Sequence, residues 1–417
     1  MKILVIGSGG REHTIVHQLY MEGRHQLFCA PGNGGIAAEA VCVPIAAADV
    51  DALVAHCVQA QYDLVVVAPE DPLAKGLVDM LEQEGIKAFG PNAAAAIIEA
   101  SKAFSKDLMR RYGIPTADYR MFSDAREALA YVESYDGPLV VKADGLALGK
   151  GVLICTDKWE AAAAVKTVME ERAFGDAGSQ IVIEEFLAGP EVTLLCFCDG
   201  KTVKPMPAAQ DHKRAFDGDL GPNTGGMGAF APTPTFTKDL LEITMATIVH
   251  PTIAAMNQEG RPFMGVLYFG LMLTRDGVKV IEYNARFGDP ESQAILPLLQ
   301  TPLSDIFLAV IEQRLDGLDI CWADGNCVCV VAASAGYPGA YKTSFAIEGI
   351  EAAQGRGAFV YHAGTALKEG IVVTNGGRVL GVSCQGGSME EAIEKAYEAI
   401  DEISFEGMQY RRDIGIK

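Results

Sequence analysis

Two side chains that carry oxygen ligands stand two positions apart in the segment VIEYNARFGDPE. Glu282 and Asn284 offer the carboxylate and amide oxygens that Mg²⁺ prefers in proteins. If the segment is a β-strand, side chains two positions apart share a face, so Arg286 would lie on that face as well. Burying these groups together is costly without ligands, although a half-buried strand of no function is the alternative. We predict that Glu282 and Asn284 bind a divalent cation and that Arg286 neutralises a phosphoryl group in transfer.

A glycine-rich turn follows the first apolar run of the chain, MKILVIG. Within the turn Gly7–Glu12, bare N–H groups would open a helix and form a nest for an anion. A dinucleotide fingerprint would need a glycine where Glu12 stands and an acid after the second strand, where Ala30–Asn33 supplies none. These departures disfavour NAD and favour a single phosphate beside Arg11, with a merely tight turn as the alternative.

A second glycine-rich segment begins at Lys142, which ends the apolar run PLVVK. Its glycines, Gly145, Gly149 and Gly151, would let the loop close over phosphates, and Lys150 would add positive charge. No G-K-[ST] sequence opens a helix here, so the segment is not a Walker-type loop. We predict a loop that covers phosphates, and a plain surface hairpin is the alternative.

A third candidate is the polar cluster QDHKR, which contains Asp211, Lys213 and Arg214. The glycine-rich loop GPNTGGMG, residues 221–228, follows it. Cations next to such a loop suit an anionic substrate, and a solvated loop is the alternative.

The run IVIEEFL ends in two acids, Glu184 and Glu185, at a position that suits a hinge between domains. Backbone groups after the strand could meet an adenine edge, and Glu191 could accept hydrogen bonds from ribose hydroxyls. Solvated acids at a strand end are the alternative.

The elements that position these residues begin with alternating strands and helices over the first hundred residues. This alternation predicts right-handed crossovers and a parallel sheet, with ligands at the carboxyl ends of its strands. The predicted strands are Lys2–Ile6, Gln26–Cys29, Asp63–Val67 and Ile86–Phe89. The predicted helices are Arg11–Met21, Asp51–Ala60 and Leu73–Gln83.

Beyond residue 100 the pattern changes. A helix capped by Ser101 runs to Arg111, and residues 116–186 alternate again. Turn signals at Asp199-Gly200 and Asp276-Gly277 then predict antiparallel hairpins. Further helices are predicted over Lys238–Gln258, Pro302–Leu315 and Ser388–Asp401. The fold class is therefore a multidomain α/β and α+β protein.

Composition limits the function classes. The 417 residues hold 34 Lys and Arg against 54 Asp and Glu, a net charge of −20, which excludes a global basic surface for nucleic acid. No apolar run approaches the length of a membrane span, and the N-terminus predicts a first strand, not a signal peptide. Ten scattered cysteines without a C-x-x-C pair indicate reduced thiols of a cytoplasmic protein.

Taken together, the motifs resemble the ATP-grasp carboxylate–amine ligases, and among them the glycinamide ribonucleotide synthetase (phosphoribosylamine–glycine ligase) family. The resemblance runs the whole chain. Its main segments are GSGGREH, PGN at 31–33, APEDPL, KADGLALGKGV, IVIEEFLAGPE, QDHKRAFDGDLGPNTGGMGA and EYNARFGDPE. The stretches 210–229 and 282–291 are specific to this family, whereas the glycine loop at 142–151 is shared among ATP-grasp enzymes.

The resemblance implies a five-part chain. The expected parts are an N-terminal α/β substrate domain over 1–101, a linker helix over 102–122, an ATP-grasp lid over 123–187, a central ATP-grasp domain over 188–324 and a C-terminal domain over 325–417. It also implies that ATP and Mg²⁺ or Mn²⁺ serve the ligation of glycine to 5-phosphoribosylamine, with no nucleic-acid or membrane partner. A monomer is the working expectation, and no later enzyme of the pathway is expected to be fused to the chain.

The resemblance further implies roles for individual residues. Nucleotide contacts are expected from Lys102, Lys142, Gly145, Gly149, Lys150, Gly151, Glu184, Glu185, Phe186, Leu187 and Glu191. The metal is expected at Glu282 and Asn284, and catalytic roles at Arg286, Asp211 and Lys213. Substrate contacts are expected from Gly9, Gly10, Arg11, Glu12, Gly32, Asn33, Glu70, Gly225, Gly226, Met227 and Gly228. Pro190 departs from the pattern, because it removes an N–H from the hinge.

Two alternatives stay open at this point. Another ATP-grasp ligase could use a different carboxylate or amine, such as formate or bicarbonate, although the 210–229 loop argues against it. A nucleotide-binding dehydrogenase or regulatory module would rest on the first glycine turn alone.

Overall fold

The structure, a computed structural model, describes residues 1–146 and 151–416. Its first part is a parallel sheet in the order β3-β2-β1-β4-β5. The strands are β1 (Lys2–Gly7), β2 (Gln26–Pro31), β3 (Val41–Cys42), β4 (Leu64–Val67) and β5 (Ala88–Phe89). The helices are α1 (Gly10–Met21), α2 (Val50–Ala60), α3 (Glu70–Ala74), α4 (Leu77–Gln83) and α5 (Ala93–Ala100). The predicted parallel sheet is confirmed, but the helix predicted over Leu73–Gln83 is broken at Gly76, whose φ is +81°.

The second part is an antiparallel sheet in the order β6-β9-β7-β8. It is preceded by α6 (Lys102–Arg111), whose N-cap Ser101 accepts a hydrogen bond from the Phe104 backbone at 3.0 Å, as predicted. The strands are β6 (Tyr119–Phe122), β7 (Leu139–Ala143), β8 (Val152–Cys155) and β9 (Ile181–Glu185). The helices α7 (Ala125–Glu133) and α8 (Lys158–Val165) belong to the same part.

The third part is built on the antiparallel sheet β11-β10-β16-β17. The strands of this region are β10 (Glu191–Asp199), β11 (Val203–Pro205), β12 (Gln210–Asp211), β13 (Arg214–Phe216), β14 (Leu220–Asn223), β15 (Gly228–Ala231), β16 (Met264–Thr274) and β17 (Gly277–Asn284). Its helices are α9 (Lys238–Thr244), α10 (His250–Gln258), α11 (Glu291–Ile295) and α12 (Leu303–Ile311). Both predicted hairpins are present, and a π-helical turn over Met245–Val249 divides the helix predicted over Lys238–Gln258.

The last part is a sheet in the order β12-β15-β18-β22-β19, with β23 paired to β18. Its later strands are β18 (Asn326–Ser334), β19 (Phe359–His362), β20 (Thr365–Lys368), β21 (Ile371–Thr374), β22 (Arg378–Gly386) and β23 (Met408–Gln409), where β20 and β21 form a separate hairpin. The helices are α13 (Ile350–Gly355) and α14 (Met389–Ile400), the latter capped by Ser388. Two strands of this sheet, β12 and β15, come from well before residue 325.

These parts form the multidomain α/β architecture that the sequence predicts. The exact domain boundaries stay a prediction. Strands β12 and β15 lie in the segment that we assign to the central domain, but they belong to the same sheet as the C-terminal strands. Across residues 1–146 and 151–416, none of the helices combines the length and apolar character needed to cross a bilayer.

Candidate active site

A cleft of about 380 Å³ lies where the parts of the molecule meet. Seventeen of the residues predicted to form the site line it. They are Arg11, Glu70, Lys102, Lys142, Gly145, Gly151, Glu184, Glu185, Phe186, Leu187, Glu191, Asp211, Lys213, Gly225, Glu282, Asn284 and Arg286. Gly149 and Lys150 lie outside the described residues. The cleft therefore gathers most of the predicted residues from segments that are far apart in the chain.

Lys142 and Glu184 form a buried ion pair on the sheet β6-β9-β7-β8. They lie on neighbouring strands, β7 and β9, and the Lys142 Nζ is 3.0 Å from the Glu184 Oε1. The same ammonium donates to the Ile281 carbonyl at 3.0 Å, which links β7 to β17. Lys106 holds the other carboxylate oxygen at 3.0 Å, and burial lowers its pKa to about 8 although Glu184 opposes this. Two buried ammonium groups thus share one carboxylate.

The candidate metal ligands lie as the strand argument predicts, since Glu282 and Asn284 line the same cleft from β17. Burial alone would raise the pKa of Glu282, but Lys213, Lys142 and Lys102 lower it below its usual value. Within the described residues, no protein donor binds the Glu282 carboxylate. A charged carboxylate and an amide oxygen that face a polar cleft are suitable donors for a hard divalent cation, so these residues fit the metal.

Arg286 is held by two carboxylates. Its Nε is 3.3 Å from the Glu70 Oε2, and its Nη2 is 3.1 Å from the Glu99 Oε1. Burial would raise the pKa of Glu70, but Arg286 and Arg11 lower it to about 2, so this carboxylate is ionised at neutral pH. Glu99 also accepts the Ala285 N–H at 2.7 Å, which fixes the backbone after the candidate metal ligands.

Asp211 and Lys213 line the same cleft and interact electrostatically. The Lys213 Nζ is 2.5 Å from the Glu191 Oε2, and the carboxylates of Glu191 and Asp211 raise the pKa of Lys213 against the effect of burial. Burial raises the pKa of Asp211, and the nearby Glu291 and Glu191 add to the rise. Lys213 therefore keeps its proton and supplies a fixed positive charge in the same cleft as the candidate metal ligands.

A short segment after β9 connects the sheet β6-β9-β7-β8 to the sheet β11-β10-β16-β17. Phe186 is exposed and Leu187 half-buried at the cleft, and β10 begins at Glu191. The Pro190 carbonyl accepts the Leu273 N–H at 3.0 Å, so this residue contributes an acceptor although it has no N–H. On the other side of the cleft, the Lys102 Nζ donates to the Gly145 carbonyl at 3.1 Å and so links α6 to the glycine loop.

The predicted phosphate nest at the start of α1 is filled by the chain itself. The Glu12 carboxylate accepts the Gly9 N–H at 2.6 Å and the Arg11 Nε–H at 2.6 Å. A Cβ on Gly7 would collide with Glu12, which explains the glycine there. The turn therefore binds an internal carboxylate at the position where an external anion was expected.

The remaining predicted substrate residues are not among those that line the cleft, and they pack against other parts of the protein. Asn33 Nδ2 donates to the Ser8 and His362 carbonyls at 2.9 and 2.8 Å. Side chains on Gly10, Gly32, Gly226 and Gly228 would collide with Gln293, Cys42, Pro290 and Cys329, respectively. Met227 is fully buried. These residues shape the walls, and their direct contact with substrate stays a prediction.

Several cleft residues were missed by sequence reasoning. They are Glu99, Asn223, Thr224, Tyr268, Asp289, Glu291 and Arg378, with Lys106 directly behind them. Asp289 and Glu291 belong to the EYNARFGDPE segment, so that motif could have indicated them. Arg378 comes from β22, about 90 residues later, and no local pattern connects it to the cleft.

Comparison with known proteins gives a consistent result over the whole chain. Residues 1–99, 100–292 and 327–417 match the N domain, the ATP-grasp (A) domain and the C domain of phosphoribosylglycinamide synthetase. The chain is 48% identical to a phosphoribosylamine–glycine ligase of Caldanaerobacter subterraneus subsp. tengcongensis, over 99% of both chains. It is 49% identical to the trifunctional purine biosynthetic protein adenosine-3 of Homo sapiens, covering 100% of this chain and 42% of that protein.

Among solved structures, the crystal structure of a phosphoribosylamine–glycine ligase from Thermotoga maritima superposes with a TM-score of 0.84. The sequences are 33% identical, and the match covers 99% of this chain and 100% of the other. The family resemblance predicted from the motifs is thereby confirmed. This chain belongs to the phosphoribosylglycinamide synthetase (phosphoribosylamine–glycine ligase) family of ATP-grasp ligases.

Proposed function

We propose that the chain ligates glycine to 5-phosphoribosylamine at the expense of ATP, giving glycinamide ribonucleotide, ADP and phosphate in purine biosynthesis. The observation that carries this proposal is the gathering of Glu282, Asn284 and Lys142 in one cleft with Gly145 and Gly151. The full-length similarity to named phosphoribosylamine–glycine ligases supports the choice of substrates.

The chemistry explains why such a cleft is needed. A carboxylate is a poor acyl donor, so ATP first converts the glycine carboxylate to an acyl phosphate. The amine of phosphoribosylamine then attacks the carbonyl, and phosphate leaves. The main barrier is electrostatic, because a carboxylate must approach a triphosphate, and fixed cations in a closed cleft lower it.

The family resemblance supports roles for the residues that would face the nucleotide. Lys102 and Lys142 would contact the phosphates, and residues 184–187 would meet the adenine. Glu191, which is half-buried at the start of β10, would accept hydrogen bonds from the ribose. Glu282 and Asn284 would hold Mg²⁺ or Mn²⁺, which when bound supplies positive charge to the phosphate oxygens.

The acceptor side of the cleft is assigned to the other charged groups. Arg286, fixed by Glu70 and Glu99, would neutralise the phosphoryl group in transfer. Asp211 would orient an ammonium, either that of glycine or that of the attacking amine. Arg11 and Glu70 would face the phosphoribosylamine from the N-terminal sheet.

A drop-out assay tests the proposal. Phosphoribosylamine is generated in situ from ribose 5-phosphate and ammonia, and ADP release is measured with each substrate omitted in turn. We expect release only when glycine, ATP, phosphoribosylamine and a divalent cation are all present. ADP release with formate or bicarbonate in place of glycine would overturn the choice of substrate, and NAD binding would favour the dehydrogenase alternative.

Three further proposals concern the protein as a whole. We infer the five-part domain division given above, a monomeric state and a cytoplasmic location, the last suggested by the ten cysteines, all of which are free thiols. Light scattering measures the oligomeric state directly.

A further inference from the structure

A second cavity, of about 430 Å³, opens beside the cleft and has no role in the proposed reaction so far. We call it the arginine pocket. Ten residues line it: Val152, Leu153, Ile154, Arg214, Asn223, Thr224, Gly225, Tyr337, Pro338 and Arg378. Six of them also line the cleft, so the two cavities are continuous. None of the ten is acidic, although the chain carries a net charge of −20.

The two arginines hold opposite ends of one glycine-rich loop. The Arg214 Nη1 donates to the Gly221 carbonyl at 2.8 Å, and the Arg378 Nη1 donates to the Gly225 carbonyl at 2.8 Å. Arg378 is also fixed by Asp289, with its Nη2 3.1 Å from the Oδ2. Each guanidinium carries five N–H donors, and these contacts use only some of them. The remaining donors are pre-oriented for an anion with several oxygens.

Neutral donors complete the lining. The Tyr337 hydroxyl accepts the Gly225 N–H at 3.0 Å, so its own proton is left to donate elsewhere. The Asn223 side chain is exposed on the same wall. The opposite wall is apolar and comes from β8 of the lid. A phosphoryl group bound to the arginines would therefore be covered by lid residues, which reduces its access to water.

The nest at α1, the other candidate for this phosphate, is already occupied by the Glu12 carboxylate. We propose that the arginine pocket binds the 5-phosphate of the sugar-phosphate amine substrate, with Arg214 and Arg378 as its anion-binding residues. This inference rests on the proposed function and extends it. In this arrangement residues 221–225 and the C-terminal sheet recognise the phosphate. The sugar and the amine of the same substrate extend from the arginine pocket into the cleft.

The test uses ribose 5-phosphate as a stable probe of the full chain, with ribose and inorganic phosphate as separate arms. Titration calorimetry gives the dissociation constants for the wild type and for Arg214→Gln, Arg11→Ala and Arg412→Ala. Arg412 is an exposed arginine close to the same region and serves as the matched control. We expect Arg214→Gln to weaken ribose 5-phosphate binding about tenfold or more and by more than Arg11→Ala does, whereas the control Arg412→Ala changes it by less than about threefold.

The outcomes separate the alternatives. A larger loss in Arg11→Ala than in Arg214→Gln would overturn the inference and return the phosphate to α1. Dependence on Arg214 for inorganic phosphate but not for ribose 5-phosphate would also overturn it. Ribose should bind weakly and alike in all four proteins, and a tenfold loss of ribose binding in Arg214→Gln would contradict recognition through the phosphate.

A second variant keeps the test independent of folding defects. Arg378→Lys keeps one positive charge but not the planar fork, and we expect its KM for phosphoribosylamine to rise while its KM for ATP stays near the wild-type value. Equal changes in both values would count against the inference. The wild-type drop-out assay distinguishes the two proposals, because ADP release can depend on phosphoribosylamine whether or not Arg214 matters.

Discussion

Two glycine-containing segments of this protein, residues 7–12 and 221–225, lie in opposite surroundings. The turn Gly7–Glu12 wraps the side chain of Glu12, whose carboxylate accepts hydrogen bonds from the Gly9 N–H and the Arg11 guanidinium. The segment 221–225, which includes the end of β14, is held at each end by an arginine. It faces a cavity whose ten described lining residues include no acid, although Asp289 pairs with Arg378 next to it. Glycine permits both arrangements, since each needs a close approach of backbone to another group.

The comparison shows that an anion site is defined by which donors remain unused. Arg11 is close to Glu12 and Glu70 and is almost fully buried, so its charge is compensated within the scaffold. Arg214 instead donates to the Gly221 carbonyl, which carries only a partial charge, whereas Arg378 donates to the Gly225 and Asp289 carbonyls and also pairs with the Asp289 carboxylate. We therefore expect the carboxylates that pair with Arg11, Glu12 and Glu70, to act on stability, and the candidate metal ligand Glu282 to act on turnover.

The largest effect is expected when the candidate metal ligand Glu282 is replaced. Glu282→Gln should reduce the rate of ADP formation at least about 1000-fold, roughly 4 kcal/mol, because the candidate metal loses its charged ligand. The unfolding midpoint should stay near that of the wild type. Steady-state assays over a range of Mg²⁺ concentrations measure the effect, with the exposed Glu242→Gln as control. Full activity in Glu282→Gln would refute the metal assignment.

A pH titration of the free energy of unfolding tests the stabilising role of Glu70. Arg286 and Arg11 lower the pKa of Glu70 from 4.5 to about 2 against the effect of burial, so the folded state binds fewer protons than the unfolded state in this range. The stabilisation, about 3 kcal/mol, is complete above pH 4.5 and is lost as the pH falls toward 2. Urea unfolding of the wild type and Glu70→Gln should therefore differ most at neutral pH and converge in acid.

The control for this titration is Glu84→Gln, an exposed position on the same sheet region. Its free energy of unfolding should follow the wild-type curve at every pH. A gap between wild type and Glu70→Gln that stays constant down to pH 2 would contradict the electrostatic explanation.

Replacing Glu12 tests whether the first turn is closed by its own carboxylate. Glu12→Gln should lower the free energy of unfolding by about 2–3 kcal/mol, because a charged acceptor for the Gly9 N–H and the Arg11 guanidinium is lost. The kcat of the folded variant should stay within a few-fold of the wild type. Unchanged stability together with a steep rise in the KM for phosphoribosylamine would show that Glu12 acts on the substrate. That result would contradict its role as the internal acceptor of the first turn.

The smallest expected effect concerns Asn33. Its side chain joins the N-terminal sheet to the His362 carbonyl of β19, and Asn33→Ala should cost about 1–2 kcal/mol of unfolding free energy. We expect little change in the KM for phosphoribosylamine. Thermal unfolding combined with steady-state kinetics measures both, and a selective rise in that KM would restore the direct substrate role predicted from the motif.

The sequence predicts well what short-range patterns determine. The N-terminal sheet follows from buried apolar runs separated by helices, and the start of α6 follows from the Ser101 cap. The shared face of Glu282 and Asn284 follows from strand periodicity. Even the closure of the first turn had a signal, since Gly9 and Glu12 have the spacing of a capping box.

What the sequence could not predict depends on contacts between distant segments. Arg378 and Glu99 reach the cleft only because separate parts of the chain pack around it, and no local spacing marks them. The buried Lys106 is a similar case, because its position in α6 resembles that of any polar residue on an amphipathic helix. The break at Gly76 and the π turn in the long helix likewise reflect packing that overrides helix propensity.

The pairing of β15 with β18 has a practical consequence for dissecting the protein. A fragment beginning near residue 325 would lack β12 and β15, which would leave the edge of β18 unpaired and prone to associate with other chains. A chimera that exchanges the last quarter of the chain between relatives must therefore carry residues 210–231 along, so that both sides of this strand pair come from one parent.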